Sequence, residues 1–347
     1  MKSLAAILVE QKAPLVLEEV EVPRLALGQV LVKVLSSGVC GSQIGEIDGV
    51  KGPDRFLPHL LGHEGAAVVV ECGEGVSTVR PGDKVVLHWR KGDGLESTTP
   101  IYGSRIGPVR AGWVTTFNEY AVVSENRVTA VPGDFDPDWA ALLGCAVTTA
   151  FGVVNNDAQL RIGESIAVFG VGGVGLNVVQ GAALVSAHPI IAVDRYDNRL
   201  ALARKLGATH TVNSARCDPE REVRGIVGSG GVDVAVETTG SVPLIEAAYR
   251  ATGSRGRTVL VGVPAKGSAA AIYTLPLHFG KKVTGSHGGQ CRPEVDIPNY
   301  VRLAKAGKLD LAPCIGKRYP LAEINRAIDD IRCGAIAGRA MIEMTTP

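Results

Sequence analysis

The stretch ESIAVFGVGGVGLNVVQGAALVSAHPIIAVD constrains this chain more than any other. A short apolar run ends on glycines, a longer apolar run opens on them, and a third run ends in an acid. Gly170, Gly172 and Gly175 fit G-x-G-x-x-G, with Gly173 and Val174 in between. Each glycine has a mechanical reason: Gly170 makes the tight turn, Gly172 lets a pyrophosphate reach the backbone, and Gly175 lets the helix lie on the sheet. The helix start then offers amide donors and a positive dipole end to phosphate. Asp194 stands 19 residues after Gly175, where a carboxylate for a ribose diol belongs. The unit reads as the first βαβ of a dinucleotide site. A carboxylate accepts from both ribose hydroxyls and repels a 2′-phosphate, so NAD is expected over NADP. Arg195, next in the chain, is the residue that would argue for the phosphate.

The same texture continues. RYDNRLALARKLGA reads as a charged helix, THTV as a strand, the segment near 218–227 as a helix, VDVAVETTG as a strand, the segment near 242–252 as a helix, and GRTVLVGV as a strand. Alternation of this kind implies an α/β unit with a doubly wound parallel sheet of the Rossmann type. Residues before it are different: short alternating runs such as QVLVKVLSSGV, punctuated by Pro14, Pro23 and Gly28, read as a β-rich domain. Residues 87–118 read as a long irregular loop. Two further amphipathic helices (NYVRLAKAGKLD and LAEINRAIDDIRCG) and a strand (RAMIEM) close the chain. The expected division is 1–146 with 288–347 as one domain and 147–287 as the dinucleotide domain.

Bulk properties narrow the function. The chain has 347 residues, 46% hydrophobic and 20% charged, enough for two packed cores and against disorder. The net charge of +1 gives no reason to expect nucleic acid or an anionic membrane as partner. No signal peptide or apolar span stands out. Seven scattered cysteines without a CxxC pair suggest a reduced, cytoplasmic setting. Three of them have chemical interest in context: Cys40 in GVCGSQ and Cys145 in LLGCAVTTAFG flank His63 in GHEGAAVVVECGEGV. Two thiolates and an imidazole are suitable donors for a catalytic zinc, which takes about three protein ligands and keeps one position open. Cys72, Cys217, Cys291, Cys314 and Cys333 lack such surroundings and read as structural.

In this order and spacing, GVCGS, GHE, GDKV, LLGC with TTAFG, and FGVGGVGL resemble the zinc-containing alcohol dehydrogenases of the medium-chain family, over essentially the whole chain. The family's zinc signature is met at Gly62, His63, Glu64, Gly73 and Val76, with Ala67 where a glycine is usual. The resemblance implies a GroES-like catalytic domain beside the Rossmann domain. It implies a zinc held by Cys40, His63 and Cys145, with Glu64 behind it and able to join. Ser42 would take the proton from the alcohol. Thr149 would lie against the nicotinamide, Arg199 near the adenosine ribose and Arg339 on the pyrophosphate. Trp89 and His88 would border the substrate pocket. The implied activity is hydride transfer between a primary or secondary alcohol and NAD. A homodimer or homotetramer is implied as well.

Three departures stand out. Residues 87–118 contain no cysteine, so one catalytic zinc and no structural zinc is expected; Tyr102, Ile106 and Trp113 are expected to hold that loop by packing inward. Gln43 replaces the usual Asp beside the ligand His, and Gly45 stands where a relay His is usual, leaving Glu46 and Asp48 as nearby acids. The loop's length resembles that of the longer-loop alcohol and formaldehyde-adduct dehydrogenases. Its charges (Arg90, Lys91, Asp93, Glu96, Arg105, Arg110) keep a sugar or cyclitol dehydrogenase open as an alternative. The departures at 43 and 45 keep open a non-catalytic NAD-binding protein.

Overall fold

A computed structural model describes residues 1–344 and divides them into two compact units. One contains residues 1–146, 292–335 and 339–344; the other contains 147–291 and 336–338.

The second unit is built on six parallel strands in the spatial order His210–Asn213, Ile190–Asp194, Ile166–Phe169, Val232–Glu237, Thr252–Leu260, Lys282–Gly285. Ile166 lies opposite both Ile190 and Val234, so the order reverses at this central strand. That reversal is the place where such sheets bind their ligands. Ile166–Phe169 and Ile190–Asp194 are buried along their whole length, as expected of parallel strands covered on both faces. Phe169, Val193, Val212, Val223 and Ala248 are among the residues that pack into one core here. The glycine run opens the helix Gly173–Leu184 directly after the central strand. The sixth strand, Lys282–Gly285, is a difference from the sequence reading. Its KKVTG segment has one strongly apolar residue and no alternation, and among the described residues it pairs on one side only.

The first unit holds two sheets. In the larger one the strand Gln29–Gly38 pairs antiparallel with Glu64–Cys72, Tyr120–Ser124 and Arg339–Glu343. Irregular register at Leu31/Val32 and Val34/Ser36 bends it between these partners. The strand Arg339–Glu343 is itself flanked by Ile315–Pro320. The smaller sheet has five strands and a core around Ile7, Val20, Leu60, Tyr102 and Val109.

The loop 87–118 is partly ordered into the short strands Ile101–Tyr102 and Val109–Arg110. Only one of its three expected anchors packs inward. Tyr102 is fully buried, and its oxygen accepts the Val122 N–H at 2.7 Å. Trp113 is 47% exposed, with the Arg127 guanidinium over one face of its ring, 5.1 Å from the centroid. Ile106 is 43% exposed at the tip of the Ser104–Gly107 turn. Among the described residues no single helix is long and apolar enough to cross a membrane.

Candidate active site

Three local devices bring the sulfurs and the imidazole together. Cys40 leaves the strand Gln29–Gly38 and forms the N-cap of the helix Gly41–Ile47. His63 immediately precedes the strand Glu64–Cys72. Cys145 follows the helix Pro137–Leu143, which is capped by Asp136 accepting the Trp139 N–H at 2.9 Å. The residue before it must be glycine, because a Cβ on Gly144 would overlap the Leu87 carbonyl and press on Glu64 Cα.

The result is a group in which one ligand atom each from Cys40, His63 and Cys145 lies within 4.8 Å of the others. Both cysteines are buried and His63 is half-buried. His63 Nε2 has no hydrogen-bond partner among the described residues. The hydrogen bond from Cys145 pulls Cys40 well below the usual thiol range despite burial, with the Arg339 charge helping, while the same contact and burial push Cys145 well above it. Two sulfurs and an imidazole nitrogen that converge in this way fit a zinc ion by donor type and convergence.

Glu64, expected behind the metal and able to join it, is not one of the three converging residues; here its carboxyl is engaged by Arg339. Its Oε1 accepts from Arg339 Nε at 3.0 Å and its Oε2 from Nη2 at 2.9 Å, with the side chains 0% and 5% exposed. Arg339 Nη1 donates to the Val39 carbonyl at 3.3 Å. The guanidinium is therefore turned inward on Glu64, not outward on a pyrophosphate as the resemblance implied. Burial pushes the Glu64 carboxyl up to about 7, against the pull of Arg339.

Ser42 lies in the first turn of the helix Gly41–Ile47, and its buried Oγ has no partner among the described residues. The acids considered near the missing relay His are occupied. Asp48 pairs with Arg332 at 2.5 Å, and Glu46 lies 3.8 Å from Lys51. Trp89 stacks obliquely beside the ligand His63, ring centroids 6.3 Å apart at 49°. His88 is a correction. It is buried, with Nδ1 on the Arg90 carbonyl at 2.7 Å and Nε2 on Thr129 Oγ1 at 2.9 Å, so both ring nitrogens are engaged within the sheet.

A cavity of about 780 Å³ opens within the same unit onto His63 and Gln43. Its wall includes Phe56, Trp113, Arg55 and Arg110, and a pair the sequence reading missed: His59 Nε2 sits 2.7 Å from Asp54 Oδ2. Nothing in PDRFLPHLLGHE marks that pair, since only the fold turns both side chains to one cavity.

In the other unit the glycines stand as the dinucleotide fingerprint requires. Gly170 has φ +86°, and a Cβ on Gly175 would overlap the Gly170 carbonyl. Around Gly172 no atom would meet a Cβ within 4 Å, so the backbone is open to a ligand there. Gly173 and Val174 form the half-buried first turn of the helix. Asp194 ends its strand with Oδ2 accepting the Val171 N–H at 2.9 Å and Oδ1 the Tyr196 N–H at 3.0 Å. Arg195 and Arg199 both lie against the Tyr196 ring, each 4.8 Å from its centroid. Arg199 also comes within 4.0 Å of Asp194. Thr149 is buried with no partner for Oγ1 among the described residues.

The family model described as alcohol dehydrogenase GroES-like domain matches residues 26–133, and that described as zinc-binding dehydrogenase matches 173–306. S-(hydroxymethyl)glutathione dehydrogenase of Escherichia coli O1:K1 is 34% identical over 356 residues, covering 95% of this chain and 96% of that protein. Among solved structures, the alcohol dehydrogenase zinc-binding domain protein from Burkholderia ambifaria is 32% identical with a TM-score of 0.91 over 100% of both chains. Benzyl alcohol dehydrogenase from Acinetobacter calcoaceticus is 29% identical with a TM-score of 0.89, over 99% of this chain and 100% of that one.

Proposed function

Because the chain belongs to the zinc-containing medium-chain alcohol dehydrogenase family, we propose that it moves a hydride between an alcohol and NAD, interconverting a primary or secondary alcohol with its aldehyde or ketone. The observation that carries this reading is the convergence of Cys40, His63 and Cys145 around an unpartnered imidazole nitrogen. When bound by those three residues, zinc supplies a Lewis acid that makes a substrate hydroxyl easier to deprotonate near neutral pH. The chain's own residues do the rest. Ser42, unpartnered and close to Cys40 in the chain, takes the hydroxyl proton. Trp89 shields the side of His63. Gly172 and the helix start receive the pyrophosphate, and Asp194 accepts the ribose hydroxyls while repelling a 2′-phosphate. Arg195 and Arg199 are held on Tyr196, which favours NAD over NADP. Thr149 offers its free hydroxyl to the nicotinamide end. The loop 87–118 has no cysteine, so one zinc per chain is the expected content.

A second reading concerns substrate size. The cavity of about 780 Å³ with Arg55, Arg110 and the His59–Asp54 pair on its wall suits a larger polar alcohol better than a short aliphatic one. A polyol, or an adduct of the kind named for the Escherichia coli relative, belongs to that class. The scattered free cysteines are in keeping with the reducing cytoplasm. The one-sided strand Lys282–Gly285 and the exposed Tyr273, Leu275 and Phe279 before it in the chain suit pairing with a second copy in a homodimer or homotetramer.

The test combines metal analysis with steady-state kinetics. About one zinc per chain, turnover of an alcohol panel and a higher kcat/KM with NAD than with NADP are expected. A chain with no zinc and no turnover on any alcohol would be a non-catalytic dinucleotide-binding protein, and preference for NADP would remove the role given to Asp194.

A further inference from the structure

The cavity that opens onto His63 has an uneven charge balance. Lys51, Arg55 and Arg110 line it, against Glu46 and Asp54. Both acids are engaged. Glu46 lies 3.8 Å from Lys51, and Asp54 meets His59 Nε2 at 2.7 Å through Oδ2 while Oδ1 accepts the Phe56 N–H at 2.8 Å. Among the described residues neither guanidinium is paired with a carboxylate. Arg55 lies over the Phe56 ring, 5.0 Å from its centroid, and Arg110 Nη1 donates to the Leu57 carbonyl at 3.4 Å. Arg105 in the same loop as Arg110 is spent instead on Glu18, through bonds of 2.7 and 3.0 Å. The backbone fixes where Arg110 stands: its N–H donates to the Pro58 carbonyl at 3.0 Å, and it lies opposite His59 in the smaller sheet. From His59 to His63 the chain reaches at most about 14 Å. The same wall carries Phe56 and Trp113, both about half exposed.

We infer that Arg55 and Arg110 bind a carboxylate at the end of the substrate remote from the reacting hydroxyl. A guanidinium fork matches a carboxylate through parallel, charge-assisted hydrogen bonds. The substrate is then an amphiphile, with an apolar body for Phe56 and Trp113 and a negative charge at its far end. Three cationic side chains against two acids leave an excess of one positive charge, which fits a monoanion. A phosphate monoester would bring close to two negative charges. The inference rests on the alcohol-oxidising reading above and narrows its larger polar alcohol to a hydroxy acid, against a neutral polyol.

The test compares 4-(hydroxymethyl)benzoate and 6-hydroxyhexanoate with their primary amides, using the full chain with zinc and NAD. The amide keeps the shape and removes the charge. The wild type is expected to show a kcat/KM at least about 10-fold higher for acid than for amide, carried by KM. In the double variant Arg55→Gln, Arg110→Gln that ratio is expected to fall to near one. Both side chains are exposed, so the variant is expected to fold. Calorimetric titration of the same acids reads binding without turnover, and at least about a 10-fold loss of affinity is expected in the double variant. Parity between acid and amide in the wild type overturns the inference and leaves the alcohol-oxidising reading standing. So does a higher kcat/KM for sorbitol, or for the monophosphate of 1,6-hexanediol, than for 6-hydroxyhexanoate. A preference for the acid that survives in the double variant overturns the assignment to these two arginines. Turnover of no alcohol at all removes the reading; equal calorimetric affinity in the two proteins would then remove the carboxylate site as well.

Discussion

Arg339 and Glu64 hold opposite charges in a place where either alone would be very costly. Their two parallel hydrogen bonds satisfy most of the guanidinium and the carboxylate at once. Removing one partner of such a buried pair typically costs about 3–5 kcal/mol, whereas exposed pairs contribute about 0–1. Arg339→Leu is therefore expected to lose several kcal/mol in urea unfolding, with Glu64→Leu added to it recovering part of the loss. A loss below about 1 kcal/mol would mean that the pair is solvated in the working protein. This pair also shows what a single sequence conceals at this scale. Cys40, His63 and Cys145 could be nominated from residue type and local motif alone. The partner of Arg339 lies 275 residues away, and no local pattern names it. The role given to His88 failed for the same reason: side-chain direction is decided by neighbours in space.

The strand Lys84–His88 illustrates what an element imposes on its residues. It sits between Glu64–Cys72 and Val128–Val131, and its last side chain is sealed inside. Burial pushes the His88 imidazole down to about 4 from its ordinary 6.5, so the folded chain keeps it neutral where the unfolded chain protonates it. The folded pKa is depressed, so this stability is complete above pH 6.5 and is lost as pH falls from there through 4. The loss amounts to about 3 kcal/mol from this one residue. His88→Gln is expected to flatten the fall in urea midpoint between pH 7 and pH 5; an unchanged slope would place the titration elsewhere. Elements of this kind were legible where the period was strong. Continuous apolar runs marked the central parallel strands, and glycines marked the helix start. Lys282–Gly285 was not legible, because an edge strand needs no second buried face and its sequence shows none.

At the scale of the molecule, that edge carries a prediction. Among the described residues the sixth strand pairs on one side, and the preceding segment exposes Tyr273 and Phe279 at 69% and 70%. Unpaired edges and exposed aromatic side chains are sites of association. Phe279→Glu is expected to shift the protein toward monomers in sedimentation velocity, with its far-UV spectrum unchanged. A wild type that already sediments as a monomer would rule out the proposed assembly. One further consequence concerns how such a chain is made. The strand that supplies Arg339 lies inside the larger sheet of the first unit, yet it leaves the ribosome long after the strand it joins. Until then Glu64 has no counter-charge, and the gap beside the strand Gln29–Gly38 stays open. A nascent chain thus leaves this side of the sheet, next to Cys40, open until the whole dinucleotide unit has been made.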